Sequence, residues 1–164
     1  MLIAVLSDIH DHTLRLLTAL AHAQAAGCTH LLFAGDAAEL VTFRLLAEEW
    51  PHGMDAVFGN NEFGRTDFAR FAQSRKGVRL HGDVGEVELG GRRIYLCHYP
   101  HMATQAAVSG TYDAAFYGHS HCAETAVLGR CLLANPGEVC GERYGIPTFG
   151  IYNTADNSFT LQRI

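Results

Sequence analysis

The amino-acid sequence predicts an α/β protein, a layered α-β-β-α sandwich of two mixed sheets flanked by helices. Three observations carry this expectation. Strand and helix alternate through the first third of the chain, as a parallel sheet requires. Glycine-centred hairpins dominate the second half. The short strands outnumber the four or five helices that fit between them, so two sheets must share the chain and pack face to face.

Residues 2 to 6 are a continuous apolar run, the pattern of a strand buried on both faces. Thr13 or Asp11 can cap a following helix, in which Leu14, Leu17, Leu20 and Ala21 recur at helical spacing and Gly27 supplies a left-handed stop. A second strand is expected over residues 30 to 34, a second helix from Leu40 to Trp50 ended by Pro51, and a third strand from Asp55 to Phe58. Trp50, Phe68 and Phe71 fit helix faces buried on the sheet. Beyond residue 78, Val84 to Leu89 and Arg92 to Leu96 flank Gly90-Gly91, a dipeptide suited to the positive φ angles of a two-residue hairpin. Further strands are expected at 114 to 117, at 123 to 128 with 131 to 134 around Gly129, and at 148 to 152 with 159 to 162. No repeat, linker or low-complexity segment interrupts residues 1 to 164, which read as one domain.

At 48% hydrophobic and 18% charged residues the composition is that of a globular protein. A chain of this length buries roughly 70% of its unfolded surface, so a metal is not needed to hold it together. A net charge of −5 provides no basic stripe for a nucleic-acid backbone, and dedicated nucleic-acid binding is not expected. A phosphorylated small-molecule substrate stays open, because bound cations can reverse the local sign of charge. The apolar start has no basic flank and no cleavage site, and no run reaches the 18 or so residues of a membrane span. Five cysteines without a C-x-x-C pair read as free thiols in core packing, which together predicts a cytoplasmic protein without membrane association.

The residues that can carry chemistry sit directly after the strands. Asp8 and His10 come after the first, Asp36 after the second, Asn60 and Asn61 after the third, His98 after the strand from Arg92, and His119 with His121 after the one ending at Tyr117. Loops at the carboxyl ends of parallel strands converge, and that crevice is the usual ligand site. If the backbone there is extended, residues two apart point the same way, so Asp8 with His10 and His119 with His121 each reach a common centre. Glycines before Asp36, Asn60 and His119 permit tight turns. Imidazole, carboxylate and amide donors suit Mn²⁺, Zn²⁺, Fe or Ni²⁺. Seven donors (Asp8, His10, Asp36, Asn60, His98, His119, His121) exceed one ion's needs, and two ions sharing a carboxylate about 3.5–4 Å apart would use them all.

In order and spacing, Asp8-Ile9-His10, Gly35-Asp36, Gly59-Asn60-Asn61-Glu62, His98 and Gly118-His119-Ser120-His121 resemble the signature of the calcineurin-like metallophosphoesterase superfamily. The tail from Asn135-Pro136-Gly137-Glu138 to Gly145-Ile146-Pro147 further resembles its small bacterial and archaeal phosphodiesterases. The resemblance implies one ion held by Asp8, His10, Asp36 and His121 and a second by Asp36, Asn60, His98 and His119, with a bridging hydroxide attacking a phosphodiester in line. It implies a pair of divalent ions, Mn²⁺ ahead of Ni²⁺, Zn²⁺ or Fe, and a homo-oligomer is compatible with it. A phosphomonoesterase, or a non-catalytic scaffold of the same fold, is the alternative.

One position departs from many phosphatases of that superfamily. They carry a histidine directly after the metal-binding asparagine, and here Asn61 stands there. An amide cannot protonate a leaving group, a contribution of typically 10²–10⁴-fold. The chain is expected either to favour substrates with good leaving groups or to recruit another acid such as His101 or His12, and Asn61 is expected to donate to a phosphate oxygen. His22, His30, His52 and His81 are expected to be solvated or capping, and Glu138 and Glu142 to be solvated loop charges or lining of the site. The phosphate loop G-x-x-x-x-G-K-[ST], H-E-x-x-H, G-x-S-x-G and G-x-G-x-x-G are all missing, which removes the corresponding enzyme classes.

Overall fold

A computed structural model describes residues 1–164. In chain order the elements are β1 (Leu2–Leu6), α1 (Thr13–Ala25), β2 (His30–Phe33), α2 (Leu40–Glu49), β3 (Gly53–Ala56), α3 (Arg65–Ser74), β4 (Val78–Leu80), β5 (Val84–Leu89), β6 (Arg92–Cys97), α4 (Pro100–Val108), β7 (Ala114–Phe116), β8 (Glu124–Leu128), β9 (Cys131–Asn135), β10 (Thr148–Asn153) and β11 (Ser158–Arg163). One sheet has the order β11-β10-β1-β2-β3-β4 and the other β5-β6-β7-β9-β8. β1 to β4 are parallel, as are β6, β7 and β9; the outer strands add antiparallel pairings, so both sheets are mixed.

Alternation along each strand divides the core into three layers. Ala4, Leu6, Leu31 and Phe33 point toward α1, α2 and α3. Ile3, Val5 and Leu32 point the other way, onto Ile94, Leu96, Phe116 and Leu132 of the second sheet. The far face of that sheet, including Cys97, Ala115 and Leu133, is covered by Ala103 and Ala107 of α4. Each large apolar side chain buried in these layers contributes about 1.5–3 kcal/mol. The α-β-β-α sandwich expected from the sequence is therefore present. No helix is long and apolar enough to cross a membrane.

Several local expectations need correction. The buried face of α1 is Leu16, Ala19, Leu20 and Ala23, while Leu14 is 80% and Leu17 36% exposed. The helix lies close on the sheet through small residues and turns its two other leucines outward. Neither Thr13 nor Asp11 caps it by a side-chain hydrogen bond; His12 occupies the cap position. β3 runs two residues earlier than expected: Gly53 and Met54 already pair with His30 and Leu31, and the ladder closes at Ala56, after which Val57 N–H makes a last bond to Phe33 O. β4 and α4 were not anticipated from the sequence.

His30 and His81 are not solvated. Asp55 in β3 is fully buried and receives both imidazoles: His30 Nε2 lies 2.7 Å from Oδ2 and His81 Nε2 2.6 Å from Oδ1. Arg79 adds a fork, Nε to Oδ1 and Nη2 to Oδ2, each at 2.6 Å. Burial by itself would raise this carboxyl's pKa, but the bonds from His30, His81 and Arg79 outweigh it and hold Asp55 well below the usual carboxylate range.

Candidate metal centre

Six loops meet at the carboxyl ends of β1, β2, β3, β6, β7 and β9, and backbone bonds lace them together. Asp8 N–H donates to Gly35 O, Ile9 and His10 N–H to Asp36 O, Gly118 N–H to His98 O, and Cys140 N–H to Asp8 O. Glycine is required by space here as much as by torsion. A Cβ on Gly59 would collide with the Asp36 side chain and one on Gly118 with Ser7 and Asp8, although neither glycine needs a positive φ. Together with Gly35, whose Cβ would meet the backbone of Gly59, they let loop approach loop.

Asp8, His10, Asp36, His119 and His121 all have φ between 43° and 68°, the left-handed region that non-glycine residues rarely occupy. Such residues cost of order 1–3 kcal/mol each and collect at functional sites. The backbone around the paired residues is therefore not extended, which corrects the geometry expected for the two pairs. Asp8 and His10 do converge, Nε2 lying 3.7 Å from Asp8 Oδ1. His119 and His121 diverge: His121 Nε2 is 3.4 Å from Asp8 Oδ1, whereas His119 Nδ1 is 2.8 Å from Asn60 Oδ1.

Two groups of donors result, with Asp36 between them. Its Oδ2 lies 3.5 Å from His10 Nε2 and 3.4 Å from His98 Nε2. The first group is Asp8, His10, Asp36 and His121; the second is Asp36, Asn60, His98 and His119, with His98 Nε2 3.1 Å from Asn60 Oδ1. Separations near 3.4 Å match the edge of a tetrahedral shell whose ligand distance is about 2.1 Å. Asp8 Oδ1 and His10 Nε2 are buried with no hydrogen-bond partner. Unpaired buried polar atoms cost about 1–3 kcal/mol each, so an acceptor and an imidazole nitrogen left facing one point fit a cation between them.

Electrostatics fit the same charge. Burial opposes ionisation of Asp36, but the adjacent His98 ring and two bonds from Asn61 overcome it and keep the carboxyl ionised. The nearby Asp8 carboxylate raises the pKa of His10 against burial, and Asp36 adds to it. Burial opposes the charged form of His98 too, yet Asp36 raises it. His119 is lowered by burial and by His98. Protons and a cation compete for these nitrogens.

Asn61 donates its backbone N–H to Asp36 Oδ1 at 2.9 Å and its amide to Oδ2 at 2.7 Å, and so grips the shared carboxylate. His101 is exposed on the first turn of α4 and makes no hydrogen bond; its ring lies 5.8 Å from Tyr99, which contacts His98 and His119. His12 Nε2 pairs with exposed Glu142 at 2.8 Å on the rim. The sequence places Glu62 in a motif and offers Glu138 as lining of the site, but assigns neither carboxylate its role. Glu62 bridges the loops after β2 and β3, accepting from Ala37 N–H at 2.8 Å and Gly59 N–H at 2.7 Å. Glu138 is not solvated but fully buried, 2.7 Å from His121 Nδ1. Burial would raise its pKa, but backbone donors and His121 bring it down to about 2.

The chain is 28% identical over 161 residues to a phosphodiesterase of Methanocaldococcus jannaschii, an alignment covering 97% of this chain and 96% of that one. The solved structure of an archaeal phosphodiesterase superposes with a TM-score of 0.93 at 26% identity, over 100% of both chains. A phosphoesterase from E. coli shares the fold at a TM-score of 0.72 and 19% identity, covering 100% of this chain and 98% of that one. The model of the calcineurin-like phosphoesterase superfamily domain matches residues 1–157, and the chain belongs to that superfamily of phosphate-ester hydrolases.

Proposed function

We propose that this protein is a two-metal phosphodiesterase. The observation that carries the reading is the pair of donor groups sharing Asp36, with Asp8 Oδ1 and His10 Nε2 buried and unpaired in the first of them. Asp8, His10, Asp36 and His121 would hold one divalent ion, and Asp36, Asn60, His98 and His119 the other. Ions bound there would supply Lewis acidity to the phosphoryl oxygens and lower the pKa of a water that serves as nucleophile. Mn²⁺ leads Ni²⁺, Zn²⁺ and Fe as the expected ion, the donor set suiting all of them.

The chain's own residues do the rest. Asn61 orients the shared carboxylate through its two bonds, in place of the phosphate contact expected from sequence. Its position leaves leaving-group protonation without an immediate histidine, which favours esters of acidic alcohols and phenols. The recess beside His121, walled by Tyr144, Ile146 and Leu161, offers room for an organic group and supports a diester over a bare monoester. The likeness to a phosphodiesterase over nearly the whole chain supports the same choice. Residues 1–164 act as one domain in this reading, and the five free thiols fit a cytoplasmic setting.

Metal-stripped protein resupplied with Mn²⁺, Ni²⁺, Zn²⁺ or Mg²⁺ should cleave bis-p-nitrophenyl phosphate faster than p-nitrophenyl phosphate. Cleavage of neither ester with any ion would overturn the reading in favour of a non-catalytic protein of the same fold. Asn61→Ala is expected to lower kcat/KM for the diester by about 10–100-fold, the usual effect of removing a partner that orients a ligand. An unchanged value would refute the orienting role.

A further inference from the structure

Glu138 lies in the loop between β9 and β10, outside the two donor groups, yet it is fully buried against one of them. Every neighbour of its carboxylate is a donor. Oε1 accepts from the backbone N–H of Arg143 at 3.0 Å and of Tyr144 at 2.7 Å. Oε2 accepts from His121 Nδ1 at 2.7 Å and from the Cys140 thiol at 3.1 Å. A carboxylate surrounded in this way can only accept, so Nδ1 of His121 must carry the hydrogen. That leaves the Nε2 lone pair free on the side facing Asp8 Oδ1, 3.4 Å away. His98 is handled alike, its Nδ1 donating to Ala34 O at 2.7 Å while Nε2 faces Asp36.

We infer that Glu138 is a positioning residue for the first ion: it fixes the tautomer and the aim of His121 so that Nε2 is available to the metal. The inference rests on the two-ion reading above. The same loop is gathered around this carboxylate by the backbone N–H groups of Arg143 and Tyr144, so the side chain couples loop placement to ligand orientation. Carboxylate partners of this kind are worth about 10–100-fold in metal affinity.

Glu138→Gln provides the test. The amide must turn its NH₂ toward one of two positions that both face donors. The two backbone N–H groups are held by the loop, so the carbonyl goes to them and the NH₂ faces His121. The ring then accepts at Nδ1 and carries its hydrogen on Nε2, where it blocks the ion. Calorimetric titration of metal-free protein with Mn²⁺ should show two ions in the wild type. In folded Glu138→Gln, one should bind about 10–100-fold more weakly and the other unchanged.

Nitrogen-15 spectra of the Zn²⁺-loaded wild type, which need no variant to fold, should show His121 protonated at Nδ1. An Nδ1 without hydrogen there overturns the inference. So does a folded Glu138→Gln whose titration superimposes on a two-ion wild type, which leaves the two-ion reading intact. A wild type that takes up no ion overturns both together. A loss of both affinities in equal measure would assign Glu138 to the loop alone and also refute the positioning role.

Discussion

Asp36→Ala is expected to lower kcat/KM for bis-p-nitrophenyl phosphate by roughly 10³-fold or more and to abolish uptake of both ions. The magnitude follows from geometry. Asp36 Oδ2 is the one oxygen within 3.5 Å of a nitrogen from each donor group, so its removal opens both at once. Charge stabilisation by bound ions is worth several kcal/mol, and each 1.36 kcal/mol is tenfold in rate. Ion binding to the folded state also stabilises it in proportion to RT ln(1 + [L]/Kd). The rise in melting temperature that Mn²⁺ gives the wild type should therefore vanish in the variant. Asp36→Asn, which keeps the volume and one acceptor oxygen, should fall between the two. Cleavage by Asp36→Ala within tenfold of the wild type, with circular dichroism unchanged, would show that the shared carboxylate is not the centre of the chemistry.

The strands that bring Asp36 and its partners together were legible because they are continuous apolar runs with chemistry directly after them. β1 and β2 match their expected starts, and Gly90-Gly91, at φ 55° and 75°, makes the turn between β5 and β6. Helices were harder to read because their buried faces are alanine-rich. α1 rests on the sheet through Ala19 and Ala23 beside Leu16 and Leu20, while Leu14 and Leu17 point outward, and α4 rests through Ala103 and Ala107, so leucine spacing alone marks the face poorly. Close approach of helix to sheet favours small side chains, and a pattern built on leucine spacing misses it. β4, with three residues, is too short for any periodicity to register.

In the site, sequence order showed which residues come after strand ends, while which of them meet came only from the family resemblance. The divergence of His119 and His121 depends on two left-handed residues that no local propensity announces. Glu138 meets His121 across 17 residues and the whole of β8 and β9, a distance over which only the tertiary fold decides. Asp55 is the case where a signal was present. An acid within a predicted buried strand must find partners or cost several kcal/mol, and three basic side chains lay within reach of that strand's neighbours in the sheet.

Asp55→Asn is the second large effect expected, this time on stability rather than activity. Each oxygen of Asp55 receives two donors, one from Arg79 and one from a histidine, and an amide can satisfy only one of these pairs. The other pair would face an NH₂ group inside the fold. Breaking a buried ionic cluster in this way costs about 3 kcal/mol or more. For a domain of this size that is roughly 6–12 °C in melting temperature. The cost should also depend on pH, with a definite sign. The folded carboxyl sits far below its unfolded value near 4, so its contribution is complete above that value and is lost as pH falls below it. Measured on metal-free protein, the gap between wild type and Asp55→Asn should be widest from pH 5 upward and should shrink steadily toward pH 2. A gap that stays constant with pH would place the cost in packing and donor clashes, and the charge on Asp55 would then contribute nothing to holding β2, β3 and β4 in register.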